Sequence, residues 1–188
     1  MEGESDLEIN IDEHKSSVKI DYGPLKYLYH GTSKENALKI LGPPWEIRTE
    51  SEIGYCGKGF YCYYLDEGLA RIFPRTKNDF RNKEIAVLSL VVKKHNMFFL
   101  SYELYEKFIK RAKKITKEGY DSNKKDDNNK KAGRLFEGFI EDFQKKHTIN
   151  IQTVSKYHLH SSRKRRSTFM FAIRDHSILE DLKLLEEK

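Results

Sequence analysis

"YHGTS", residues 29–33, stands between the alternating run "LKYLY" (25–29) and the helix-like "KENALKIL" (34–41). A histidine, a glycine and two hydroxyl residues thus occupy the place where a strand gives way to a helix. Thr32 and Glu35 have capping-box spacing, the hydroxyl facing the free amides of the first turn and the carboxylate reaching back. Ala37, Leu38 and Leu41 fall on one helical face, and "GPP" (42–44) stops the helix. On its own the pentapeptide is either ordinary connecting chemistry or a point where backbone and imidazole meet a ligand.

Downstream, "GYCGKGFYCYY" (54–64) places glycines at 54, 57 and 59, which allow tight turns, and its aromatics from Phe60 begin a strand. Asp66 is placed to cap a short helix, "EGLARIF", closed by Pro74. "EIAVLSLVV" (84–92) reads as a buried strand and "NMFFLS" (96–101) as another, followed by a helix over 103–117. Residues 118–133 are polar and of low complexity, which predicts a mobile surface loop. "RLFEGFIEDFQ" (134–144) resumes a helix with Phe136, Phe139, Ile140 and Phe143 as its apolar stripe. Two further strands are expected near "TINIQTV" and "TFMFAI", with the basic "SSRKRRS" (161–167) between them. Upstream, "SSVKI" (16–20) reads as a short strand within an otherwise irregular acidic arm. This irregular order of strands and helices points to an α+β domain.

The 188 residues suffice for one buried domain: 1–24 are expected as the acidic arm and 25–188 as the domain, with its loop at 118–133. No apolar run approaches the roughly 18 residues that cross a bilayer. The acidic start, "MEGESDLEINIDE", has the wrong charge for a secretory or organellar signal. Two cysteines, Cys56 and Cys62, suggest a reducing compartment rather than a disulfide framework, although a local disulfide between them stays open. Cytoplasm or nucleus is therefore expected. Residues 1–21 hold seven acids and two lysines, so of the net charge of +6 the remainder carries +11. Such a body attracts polyanions, unless its lysines are simply solvated surface.

Three pieces then fall into line: "YHGTS" leaving one strand, "GKGFY" (57–61) opening the next, and Ala70 and Phe73 on the short helix beyond. Together they resemble the diphtheria-toxin-like branch of the ADP-ribosyltransferases, which includes the poly(ADP-ribose) polymerases. The resemblance covers residues 26–74 and returns at "FMFAIRDHSILEDLKLL" (169–185), similar to the family's last catalytic strand. It implies split mixed β-sheets with short flanking helices, and NAD as substrate without a metal. It also implies that His30 hydrogen-bonds a ribose hydroxyl of NAD, and that Gly31, lacking a side chain, lets the backbone approach the nicotinamide carboxamide. Thr32 belongs to the same cofactor-binding stretch. Tyr61 would pack on one face of the nicotinamide ring and Phe73 on the other, with Ile72 as the alternative one register away. Leu69 or Ala70 stands where some relatives hold the carboxamide with a hydroxyl.

The chemistry explains these residue types. Loss of nicotinamide from the anomeric carbon passes through an oxocarbenium-like state, so the leaving ring must be held and the ribose oriented. Aromatic rings form such a slot, and a negative group near the ribose stabilises the developing charge. Here the chain departs from the pattern: the third motif position is Met170, not glutamate. Thr168, two residues earlier, is the nearest polar substitute, and Glu137 the nearest acid. The resemblance therefore implies transfer of single units, or else an inactive domain that binds NAD, ADP-ribose or nucleic acid.

Other residues have plainer readings beside functional ones. His158 and His160 share a strand face but lack a cysteine or acid at ligand spacing, so no metal is expected. Lys58 lies either near the pyrophosphate or on the surface. Arg163, Lys164, Arg165 and Arg166 are the candidate acceptor-binding residues, suited to an acidic protein surface or a nucleic acid. Protein ranks first, because no aromatic is interleaved among these cations to stack bases.

Overall fold

The computed structural model describes residues 8–11, 16–42, 45, 47, 53–54, 56–117, 125–159 and 167–185. In chain order its strands and helices are β1 (Glu8–Ile11), β2 (Ser16–Tyr22), β3 (Leu25–Ser33), α1 (Lys34–Leu41), β4 (Ile53–Gly54), β5 (Gly57–Lys58), β6 (Phe60–Tyr64) and α2 (Glu67–Ile72). Then follow β7 (Ile85–Val92), β8 (His95–Leu100), α3 (Tyr102–Lys117), α4 (Lys125–His147), β9 (Thr153–Leu159), β10 (Ser167–Ile173) and β11 (Leu179–Leu184). The protein is α+β. Nine strands form a mostly antiparallel sheet in the order β1-β2-β8-β9-β10-β6-β3-β7-β11, and β4 and β5 make a small separate hairpin.

The one parallel pairing among the described residues, β8 with β9, follows from chemistry of connection. Parallel neighbours need a long crossover, and α3 and α4 supply it. Those helices cover one face of the sheet, where Phe98 is ringed by Phe136, Phe139 and Phe143 at 5.8–6.0 Å. The expected α4 stripe is therefore the stripe that packs. On the same face α2 buries Leu69 and Ala70 in a common core with Val87, Val154, Met170 and Ala172. The opposite face carries a second core, of Leu28, Phe60, Cys62, Leu88, Leu90 and Phe171, to which α1 contributes Ala37. No helix among the described residues is long and apolar enough to cross a membrane.

Several expectations change in detail. The cap of α1 is Ser33, whose hydroxyl accepts from the Asn36 amide at 3.2 Å, and not Thr32. Glu35 turns outward to Lys39 instead of closing a box. Asp66 caps α2 as expected, accepting from the Leu69 amide at 2.8 Å, but Pro74 lies within a 3₁₀ turn, Phe73–Thr76, that prolongs the helix. Proline suits a first turn, where its missing N–H has no partner to lose. Helix α4 begins at Lys125, so part of the expected loop is helical; residues 118–124 lie outside the described residues. The segment read as an arm contributes β1 and β2, and β2 pairs with β8. The strand expected near "TINIQTV" starts only at Thr153, after Ile151 has packed into the first core. Cys56 and Cys62 are free and belong to opposite cores, which rules out a bridge between them. In place of split sheets there is one hydrogen-bonded sheet with a weak joint, described next.

Candidate functional site at the parting of two strands

The joint between β3 and β6 holds through only two register pairs, Leu28↔Tyr64 and Tyr29↔Tyr63. On its other side β3 stays paired with β7 as far as Ser33↔Ile85. Beyond Tyr29, therefore, β3 and β6 part company. In this register the next hydrogen-bonded pair would join Gly31 to Tyr61, and it does not form. The Tyr61 carbonyl instead accepts from Nδ1 of His30 at 2.7 Å. Since a carbonyl only accepts, Nδ1 carries the proton. The imidazole also stacks on Phe60, with ring centroids 3.9 Å apart.

Gly31 has two sides with different duties. The Lys34 amide donates to the Glu84 carbonyl at 2.8 Å, which makes 34 and 84 a hydrogen-bonded pair of the β3–β7 ladder. Narrow and wide pairs alternate in antiparallel sheets. Gly31 therefore turns its N–H and C=O away from β7, into the gap that opens beside β6. Its Cα faces α2 so closely that a Cβ there would sit 1.6 Å from the Ala70 oxygen. The space freed by the missing side chain is taken by the protein, and only the main-chain groups face the gap.

Tyr61 lies on the α2 side of the sheet. Its hydroxyl donates to the Gly57 carbonyl at 2.6 Å and accepts from the Cys56 amide at 3.0 Å. Burial, with the nearby Cys56 and Glu137 adding to it, keeps the phenol protonated well above its usual range. Phe73 shares this face and meets Tyr63, two residues along from Tyr61, edge to face at 5.7 Å. Ile72 is 54% exposed and points elsewhere, so Phe73 is the aromatic that the structure brings to this region. Thr32 is buried on the His30 side, opposite Ala86 of β7.

The third motif position is part of the core. Met170 is buried, with Tyr63 of β6 opposite on one flank and Lys156 of β9 opposite on the other. Thr168 spends its hydroxyl on the Tyr64 carbonyl at 2.8 Å. Glu137 receives both Nη atoms of Arg174, at 2.5 and 2.8 Å, and the Lys58 amide at 2.8 Å. Burial pushes its carboxyl up, but those hydrogen bonds and charges outweigh it and hold the carboxyl below the usual range. Gly57 makes room for this clamp: its φ is +76°, and a Cβ would lie 2.4 Å from Glu137 Oε2. "GKG" thus has a structural duty at the hairpin. The Lys58 ammonium only approaches Glu141, at 3.9 Å.

Two neighbours were invisible in the sequence reading. Arg174 lies 37 residues from the glutamate it clamps. Lys156 occupies an inward position two residues after the core residue Val154, a signal that strand alternation carries. It is buried with its ammonium 2.9 Å from the Tyr105 ring centroid, and burial lowers its pKa to about 8. Residues 160–166, with His160 and the four candidate acceptor-binding cations, lie outside the described residues, as does the side chain of His158. No group of three or more metal-ligating side chains occurs among the described residues. Comparison with protein-family models, with curated proteins and with solved structures finds no match to this chain.

Proposed function

We propose that the protein transfers single ADP-ribose units from NAD to a macromolecular acceptor. The observation that carries this reading is the parting of β3 from β6. It brings His30, Gly31 and Tyr61 to one gap, and leaves the Gly31 amide and carbonyl facing it. A carboxamide carries a matching donor and acceptor on one edge, so those two main-chain groups suit nicotinamide. Tyr61 and Phe73 supply flat surfaces nearby, and the imidazole of His30 suits a ribose hydroxyl.

In the proposed step the bond between the anomeric carbon and the nicotinamide nitrogen breaks, and neutral nicotinamide leaves with the bonding pair. The acceptor nucleophile closes on the anomeric carbon and gives its proton to solvent or to a base of its own. Holding the leaving ring and the ribose in one geometry is the protein's main contribution. Met170 offers no charge to the oxocarbenium-like state, and Glu137 is already committed to Arg174. The acceptor's own acid then serves that role, and no group is left to activate a bound ADP-ribose for chain growth.

The same observation favours a second reading, a domain that binds NAD or ADP-ribose without turnover. Labelled NAD and a cell extract separate the two. Under transfer, label enters a fraction that protease or nuclease destroys; under binding alone, nothing is labelled, while NAD still raises the melting temperature.

A further inference from the structure

Helix α3 segregates its charge. Leu104, Tyr105, Ile109 and Ala112 are buried in the first core, and Phe108 packs on Phe136 and Phe139 of α4 at 5.6 and 5.8 Å. The acids of the helix, Glu103 and Glu106, stand near its start, and from Lys107 to its end at Lys117 it has none. Lys110, Arg111, Lys113 and Lys114 are all exposed, and among the described residues no carboxylate pairs with any of them. At about 100° of helix per residue, these four positions fan over the half of α3 turned away from its buried stripe. The exposed Ile115 falls outside that fan.

Ordinary causes account for only part of this. The helix dipole favours cations in the last turn, which suits Lys114 but not Lys110, Arg111 or Lys113, which lie before it. A merely solvated surface intersperses both signs, whereas here one sign is gathered on one face.

What the face has and lacks selects its occupant. Lying in a lipid surface would use the apolar stripe of α3, which the core already holds. A protein interface is anchored by apolar or aromatic side chains at its centre, and the centre of this face is wholly cationic. Charge density decides among polyanions. The four cations occupy about 6 Å of helix axis, roughly one per 2 Å. A nucleic-acid duplex presents a phosphate per about 1.7 Å of its axis, and one strand alone a phosphate per about 3.4 Å. An extended acidic peptide offers at most one charge per about 3.3 Å. The duplex is the match.

We propose that α3 docks on the phosphate backbone of duplex nucleic acid through Lys110, Arg111, Lys113 and Lys114, without reading sequence. Lysine ammoniums act as compact point charges on flexible stems, which suits contact to phosphates rather than to base edges. This binding claim goes beyond the transfer reading and does not rest on it, since it needs no NAD.

The test is fluorescence anisotropy without NAD, using short labelled DNA and RNA duplexes, a single strand of equal length and a polyglutamate peptide, with sedimentation on phosphatidylserine vesicles beside it. Duplex should bind more tightly than the single strand, the peptide or the vesicles, and comparing DNA with RNA tells which duplex is preferred. Lys110→Gln, Arg111→Gln, Lys113→Gln and Lys114→Gln together keep helix propensity. They should weaken duplex binding by about tenfold or more and flatten the salt slope by about 0.9 per cation. As a control, Lys26→Gln, Arg75→Gln, Arg81→Gln and Lys93→Gln together remove the same charge from exposed positions on other elements. That variant should stay within about threefold of wild type. Equal weakening in the two variants would overturn the proposal by reducing it to net charge. Tighter binding of the single strand, the peptide or the vesicles than of either duplex would overturn it as well. Circular dichroism checks that both variants are folded.

Discussion

His30 Nδ1 donates to the Tyr61 carbonyl at 2.7 Å, and this bond occupies the position where the β3–β6 ladder would otherwise have continued through Gly31. One side chain thus closes the sheet and opens the gap. Replacing it tests both duties. His30→Gln retains a donor for the carbonyl but loses the imidazole; it should stay folded and lose about 100-fold in nicotinamide release. Retained turnover would mean that the imidazole only ties the strands.

Gly31→Ala should fail for a structural reason. The added methyl would meet the Ala70 carbonyl at 1.6 Å, so α2 must move from the sheet. Overpacking of this kind costs about 1–3 kcal/mol, and backbone against backbone puts it at the upper end. Urea unfolding measures it. A variant as stable as wild type would show that α2 is not seated as described.

The clamp between Glu137 and Arg174 yields a sharper separation of roles. Glu137→Gln leaves a buried guanidinium without its counter-charge, at a cost of about 3 kcal/mol. Adding Arg174→Met should recover most of that stability. If Glu137 were the missing catalytic acid, the double variant would be stable and dead. The expected result is a stable protein with activity close to wild type. A double-mutant cycle on stability and on nicotinamide release reads both.

Lys156 makes stability depend on pH with a definite sign. Its folded pKa, about 8, lies below the ordinary 10.5, so between these values the unfolded chain binds more protons than the native one. Its contribution therefore rises with pH across that window, by roughly 3 kcal/mol, and below it the full cost of burying the charge is present. Burial raises the thiol pKa values of Cys56 and Cys62, which act in the opposite sense above about pH 9. The measurement is accordingly a difference. Wild type minus Lys156→Met should climb from pH 8 to 10.5; a flat difference would place the amine in water.

Met170→Glu should not create a polymerase. The introduced carboxylate would lie opposite Lys156 in the β9–β10 register and pair with its ammonium instead of reaching a ribose. Products of both proteins should run as single additions on a gel. Long heterogeneous ladders from either would contradict this account of the third position.

Much of this was legible locally. The β-branched run of β7 and the aromatic stripe of α4 are contiguous signals, and each lands where its pattern directs. Signals spread over distant strands were not. Glu137 meets Arg174 only across α4 and the end of β10, and Lys156 meets Met170 only once β9 and β10 are adjacent. The start of α4 was hidden for another reason: "KKDDNNKK" (124–131) has no apolar period, and Ala132 is the first of that helix's described side chains to be buried in the first core.

The most direct measurement is nicotinamide release from NAD by purified wild type beside His30→Gln and Tyr61→Phe, with folding checked by circular dichroism. The account predicts release by the wild type and its loss in the histidine variant. Tyr61→Phe should be largely active, because it keeps the ring while losing the hydroxyl that bonds Gly57. Release that is equal in all three would contradict the site. If no protein releases nicotinamide and NAD does not raise the wild-type melting temperature, the NAD reading itself is wrong.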